Sequence, residues 1–386
     1  MTLRRRDLPA LLTAGLSPEE RGPTLCLTGD VMSGRGIDQI LPRPGDPRIF
    51  EPYVRSALDY LHFAERKNGP IPRPVDFAYV WGDARERLAE EAPDLRIVNL
   101  ETAITADGVP APKGINYRMH PANIDLLTAF SIDCCTLANN HLLDWGERGL
   151  IDTLEALDRA GIRHAGAGRN AEEAAAPAVL ETAGRGRVLV FAFGFPSSGV
   201  PPEWAAGPDR PGVNFLDAPS PANLARIATH AQRFRRPGDL LVASLHWGGN
   251  WGYEVTPQER NFAHGLVARA GFHLIHGHSS HHAKGIEIFE GRPILYGCGD
   301  FLNDYEGIEG YEAFRDDLAI AWLARFSADG SRLRSLRLLP FRIRNFRLGR
   351  APAEDIAWLR RTLDRESRRF GTRVVTGGNG ALLVEG

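Results

Sequence analysis

Cysteine is scarce in this chain, with four (Cys26, Cys134, Cys135 and Cys298) among 386 residues. Their spacing fits no zinc ribbon, and adjacent cysteines such as Cys134 and Cys135 rarely bridge each other, so a disulfide scaffold is excluded. Reduced thiols point to the cytoplasm. A surplus of one charge is also missing: 46 basic against 48 acidic residues leave a net charge of −2. That balance provides no electrostatic footprint for nucleic acid or for an anionic membrane, and neither is expected as a partner. No long apolar run opens the chain. Arg4-Arg5-Arg6 precedes Leu8-Pro9-Ala10-Leu11-Leu12, but the proline interrupts the stretch and Ser17-Pro18-Glu19-Glu20 closes it. The stretch is too short for a secretion signal or a membrane span. Internal repeats and low-complexity linkers are absent as well.

What is present is an ordinary globular composition, 43% hydrophobic, on a chain long enough for one large core or two modest ones. Apolar runs at 24–28, 95–100, 188–193, 240–245 and 273–276 read as buried strands. Helices are expected at 81–91, 122–130 and 149–160, the last with Leu150, Leu154 and Leu157 on one face. This alternation implies a layered α/β domain. After Gly285, runs at 286–289, 293–296, 319–323 and 336–340 look like successive antiparallel strands of a second sheet packed on the first. Residues 354–370 form an amphipathic, arginine-rich helix. Residues 40–80 carry seven prolines and little periodicity, which suggests a lid. The expected organisation is an arm over 1–20, a catalytic domain over 21–345 with a lid-like insertion at 40–80, and a helix and β-hairpin extension over 346–386.

Three histidines, His278, His281 and His282, fall within five positions, and Asp300 follows soon after. Asp30, Glu101, Asn139-Asn140-His141 and His246 each stand just beyond an apolar run. Alone, each has a plainer role open to it as a helix cap, an Asn turn or a core histidine. Together, repeated at strand ends, they are what the site of an α/β metalloenzyme looks like.

Five stations in this order resemble the poly-γ-glutamate synthesis (CapA-like) family, a branch of the calcineurin-like metallophosphoesterases: Gly29-Asp30-Val31-Met32, Asn99-Leu100-Glu101-Thr102, Ala138-Asn139-Asn140-His141 with Asp144, His246-Trp247-Gly248, and Gly277-His278-Ser279-Ser280-His281. The resemblance implies a two-sheet β-sandwich flanked by helices (α-β-β-α). It implies Asp30, Glu101, Asn140, His246 and His281 as metal ligands, with His141 in the place of the catalytic acid. Carboxylate, amide and imidazole together suit Mn²⁺, Zn²⁺ or Fe²⁺, whereas Ca²⁺ or Mg²⁺ prefers more oxygen. The chain departs from the pattern at Met32, where the superfamily has histidine, and at Ser279, where it reads His-x-His. Either one ion site is reduced, or His278 and His282 complete it.

The acid and base candidates are His141, Asp144, His278, His282, Asp300 and Cys298, and Phe63, Trp81, Trp247, Trp251 and Tyr253 are candidates for an apolar cleft. By resemblance to cytoplasmic members that act on lasso-peptide precursors, the expected reaction is metal-dependent epimerisation of a peptide α-carbon, with a peptide as the substrate partner. The alternatives are a metal-dependent phosphoesterase and a non-catalytic component of poly-γ-glutamate or capsule synthesis.

Overall fold

The computed structural model describes residues 21–386, and the arm expected over 1–20 lies outside the described residues. The chain first lays down four mutually parallel strands, β1 (Arg21–Val31), β2 (Leu95–Leu100), β3 (Cys134–Thr136) and β4 (Arg163–Ala165). It then builds a second sheet from β5 (Ala178–Thr182), β6 (Gly186–Gly194), β7 (Leu240–His246), β8 (Leu274–His278), β9 (Ile286–Phe289) and β10 (Arg292–Leu295). Finally it returns to the first sheet with β11 (Asp300–Leu302), β12 (Leu318–Ser327), β13 (Leu333–Arg344), β14 (Arg347–Arg350), β15 (Arg373–Thr376) and β16 (Leu382–Glu385). The first sheet has ten strands in the order β15-β16-β13-β12-β1-β2-β3-β4, with β11 on β1 and β14 on β13. The second has six, ordered β9-β10-β8-β7-β6-β5.

The two sheets form a sandwich because the central strands are apolar on both faces. In β6, Val188, Val190 and Ala192 join the large core shared with the first sheet, while Leu189, Phe191 and Phe193 belong to a separate outer core. The outer core is closed by Leu224 and Ile227 of α4 (Pro221–Gln232) and by Phe262 and Leu266 of α5 (Pro257–Ala268). Ahead of these in the chain come α1 (Ala57–Asn68), α2 (Gly82–Glu91) and α3 (Gly146–Ala160), and α6 (Ala353–Ser367) follows them. Helix α5 starts where it does because Thr256 and Glu259 form a capping box around Pro257. Helix α3 buries Leu150, Leu154 and Leu157 and stops at Gly161, whose φ of 71° suits glycine.

Three expectations need correction. The strands beyond Gly285 do not make a sheet of their own: β9 and β10 extend the six-stranded sheet, whereas β12 pairs antiparallel with β1 in the other and β13 pairs antiparallel with β12. The helix expected over 122–130 is a 3₁₀ turn at Pro121–Asn123 followed by one four-residue turn, Asp125–Thr128. The stretch 40–80 is not aperiodic, because α1 lies inside it, capped by Ser56 and burying Ala57, Tyr60, Leu61 and Ala64 on one face. The prolines on either side hide that face in the sequence. The hairpin β15-β16 pairs through β16 with β13, which builds the hairpin into the ten-stranded sheet.

The stretch 40–80 is tied down by Arg35, a residue that carried no signal in the sequence. Arg35 is 3% exposed, and its guanidinium donates to Glu51 at 2.9 Å and grips Asp304 with Nε at 3.1 Å and Nη2 at 2.5 Å. The Tyr60 ring lies 3.6 Å from the guanidinium carbon and the Tyr117 ring 4.4 Å. Removing one partner of a buried ion pair leaves uncompensated charge, at a cost of about 3–5 kcal/mol. Arg35→Met is therefore expected to destabilise the protein by about that much in urea unfolding. A variant as stable as the wild type would show that the clamp contributes nothing.

Candidate metal centre

Two Gly-Asp pairs make the centre. Strands β1 and β11 run parallel with Asp30 opposite Asp300, and the Asp30 amide donates to the Gly299 carbonyl at 3.0 Å. The approach is so close that a Cβ on Gly29 would fall 1.6 Å from the Gly299 oxygen, and Gly299 itself has a φ of 76°. Only glycine before each aspartate lets the two carboxylates sit side by side. On the second sheet the period-two alternation of β7 and β8 turns Ser244 and His246, and His276 and His278, toward the first sheet. The His276 Nε2 lies 2.8 Å from the Thr28 carbonyl, and Ser244 donates to Thr136, so a polar seam joins the sheets beneath the site.

Asp30 stands at the junction of two donor groups, one with His246 and His278, the other with His281 and Asp300. All five side chains are buried. In the first group the Nδ1 atoms of His246 and His278 are 2.8 Å apart, and His278 Nε2 lies 2.7 Å from Ser244. The other face of His246 meets Asn140 Oδ1 at 2.8 Å and Glu101 at 3.8 Å. In the second group His281 Nδ1 is 2.9 Å from Asp300, and Asn303 donates to the other Asp300 oxygen. Asn99 donates to Asp30 at 2.8 Å and reaches Glu101 at 3.4 Å, fixing the two acids relative to each other.

Asp30, Glu101, Asn140, His246, His278 and His281 are thus brought together. Asp300, expected among the proton carriers, stands within the second donor group. Ser279, in the place of the family histidine, has a φ of 95° and turns its amide onto Asp30 at 3.1 Å. Because β8 runs through His278, that histidine points inward. His282 points the other way, stacked against Trp251 and Phe314 and edge-on to Tyr253. Met32 sets its sulfur 3.5 Å from the Tyr305 hydroxyl and supplies no nitrogen. Cys298 is packed in the core, where burial pushes its thiol well up. Of the expected cleft aromatics, Trp251 and Tyr253 flank the histidines. Trp81 is stacked on Phe130 in the core, Trp247 is buried beside Tyr296, and Phe63 packs against Tyr60.

A dyad adjoins the centre. Asp144 holds His141 Nδ1 at 2.6 Å, and His141 Nε2 faces Glu101 at 3.7 Å. Lys113, which nothing in the sequence marked, bonds the Asn140 carbonyl and pairs with Asp144 at 2.7 Å. Its aperiodic loop has no pattern from which to infer it. Tyr305, likewise unmarked, puts its hydroxyl 3.4 Å from His281 Nε2.

The electrostatics fit a cation. Burial, and then the Asp300 charge, raises the Asp30 carboxyl to about 7. Burial and the neighbouring Asp30 lift Glu101 well above the carboxylate range. Burial, and then neighbouring imidazoles, holds His246 and His278 well below the usual imidazole value. Burial also pulls on His281, but the Asp300 carboxylate outweighs it and the net shift is upward. Clustered carboxylates that resist ionisation next to neutral imidazoles are a donor set awaiting a divalent ion.

Residues 24–305 match the family described as bacterial capsule synthesis protein PGA_cap. The chain belongs to this family. A probable polyglutamine synthesis accessory protein of Mycobacterium tuberculosis is 48% identical over 363 residues, covering 94% of this chain and 95% of that protein. The capsule biosynthesis protein CapA of Bacillus anthracis is 24% identical over 302 residues, covering 78% of this chain and 64% of its own length. The PGA biosynthesis protein CapA of Bacillus subtilis is 25% identical, with 78% and 68% covered. These relatives correct the expectation of peptide epimerisation. Their names speak of polymer and capsule synthesis, and none of them describes an isomerase or lasso-peptide processing. No helix among the described residues is long and apolar enough to cross a membrane.

Two outcomes test the centre. Protein prepared without chelator should carry a divalent ion by elemental analysis, and His246→Ala should lose it; wild-type protein that binds none of Mn²⁺, Zn²⁺ or Fe²⁺ would dissolve the assignment. The second concerns pH in the metal-free protein. Since the folded-state value of Asp30 is raised, its contribution to stability is complete below the ordinary carboxylate value of 3.8 and disappears as pH rises through about 7. The melting temperature of the wild type relative to Asp30→Asn should therefore fall between pH 4 and pH 8. A flat difference would contradict the burial argument.

Proposed function

We propose that this protein is a metal-dependent hydrolytic component of capsule-type polyglutamate synthesis, acting on a phosphoester. The observation that carries the reading is the pair of buried donor groups sharing Asp30, with the His141-Asp144 dyad beside them. Asp30, His246 and His278 would hold one divalent ion, and Asp30, His281 and Asp300 a second, with Glu101 and Asn140 at hand beside His246. Ions so held supply Lewis-acid polarisation and a nucleophile at neutral pH.

The chain's own groups do the rest. Asp144 accepts from His141 Nδ1, which leaves the Nε2 lone pair free toward the centre. Burial, only partly offset by Asp144, lowers His141 to about 4, so the ring is neutral at pH 7. It can accept a proton at Nε2, with Asp144 steadying the imidazolium, and return it to a leaving oxygen. Lys113 keeps Asp144 aligned. The names of the relatives support the cellular setting, and the word accessory in one of them favours a second reading, a component that binds but does not turn over substrate.

The two readings separate on one assay. With Mn²⁺ or Zn²⁺ loaded, the wild type should hydrolyse p-nitrophenyl phosphate or its diester. His141→Ala should lower kcat by about 10²–10⁴-fold while elemental analysis finds the ion retained. An ion-loaded wild type inert toward both esters would leave only the accessory reading.

A further inference from the structure

The outer face of the six-stranded sheet carries a second concavity, on the opposite side of that sheet from the metal centre. It is a cavity of about 220 Å³ between α4, the turn of helix Ala171–Ala175 and the stretch 205–215. Its wall is made of Ala175, Ala206, Val213, Phe215, Phe193 and Ile227. Alanine at two of those positions is what leaves the space: in the same places a larger side chain would fill it.

Three polar groups reach the cavity. His230 gives its Nε2 to the Ala175 carbonyl at 3.0 Å, and Asn214 spends its amide nitrogen on the Ala192 carbonyl at 2.9 Å. Both are committed to the wall. Arg226 is exposed at the lip and forms no ion pair or side-chain hydrogen bond among the described residues, and it is the one charged side chain lining the cavity.

An apolar hollow with one unmatched guanidinium at its mouth is complementary to a compact apolar body ending in one anionic group. An apolar cavity of ~150 Å³ accepts benzene. This larger one has room for a single ring or a short chain with its head group outside. We infer that this cavity is a binding site for a small aryl or alkyl monocarboxylate, its apolar part among the alanines and its carboxylate on Arg226. The site is separate from the donor groups around Asp30 and does not depend on the reaction carried out there.

Phenylacetate and its neutral analogue 2-phenylethanol are suitable probes, titrated into the full-length, metal-loaded protein by heteronuclear NMR. Phenylacetate should shift the amides of Phe193, Asn214 and Ile227 and leave those around His246 in place. Arg226→Gln, an exposed change, should weaken phenylacetate by about three- to tenfold without altering 2-phenylethanol, as expected for one partly screened charge contact. Ala175→Leu should abolish binding of both, with an unchanged melting temperature showing that the fold survives; should that variant unfold, Ala206→Val serves in its place. No shifts at millimolar phenylacetate, or equal weakening of both probes by Arg226→Gln, would overturn the inference.

Discussion

Asp30 and Asp300 lie opposite one another on adjacent parallel strands, both buried, and that juxtaposition of like charges governs what surrounds it. Burial and the Asp300 charge together raise the Asp30 carboxyl, and a cation between the two would relieve that cost. Everything nearby serves either to hold them there or to meet a cation. Glycines before both aspartates allow the backbones to touch, Asn99 and the Ser279 amide bond Asp30, and Asn303 bonds Asp300. The imidazoles of His246, His278 and His281 then converge from the second sheet and the loop beyond it.

The sandwich makes this arrangement rigid. Strands β1, β2, β3, β7 and β8 all end at the same rim, where an open crevice is expected beyond the carboxyl ends of parallel strands. Below the rim the sheets are joined by hydrogen bonds from Ser244 to Thr136 and between His276 and the Thr28 carbonyl. Those bonds cross an otherwise apolar interface, where a polar group left unpaired would be costly. They fix the relative height of the two sheets and with it the distance between Asp30 and His278.

Beyond the metal donors, the rim is shaped by loops whose anchors are aromatic and ionic. Arg35 ties the segment carrying Glu51 and Tyr60 to Asp304, and Tyr305, next in the chain, reaches His281 and Tyr117. The 40–80 segment is thereby connected to the second donor group through a chain of direct contacts. Trp251, Tyr253 and Phe314 enclose His282 on the neighbouring side. The wall next to the centre is therefore aromatic, while its floor is charged.

Much of this was legible in the sequence, because strands buried on both faces leave continuous apolar runs and the residues just beyond them are set by the chain itself. Asp30, Glu101, Asn140 and His246 could be marked that way, as could the α/β class, whereas His281 stood out in a histidine cluster and the family and the ligand set came from the resemblance of the five stations. Sheet membership could not, since an apolar run carries no record of its neighbour: β9 and β10 read the same as β12 and β13 yet lie in different sheets. Nor could the choice between His278 and His282, which depends on how far β8 continues and on the positive φ of Ser279, or the place of Asp300, which depends on its register with Asp30. Lys113 and Arg35 lay outside any pattern. Their partners Asp144 and Asp304 are 31 and 269 residues away, and only the folded backbone brings charges so distant in the chain within reach.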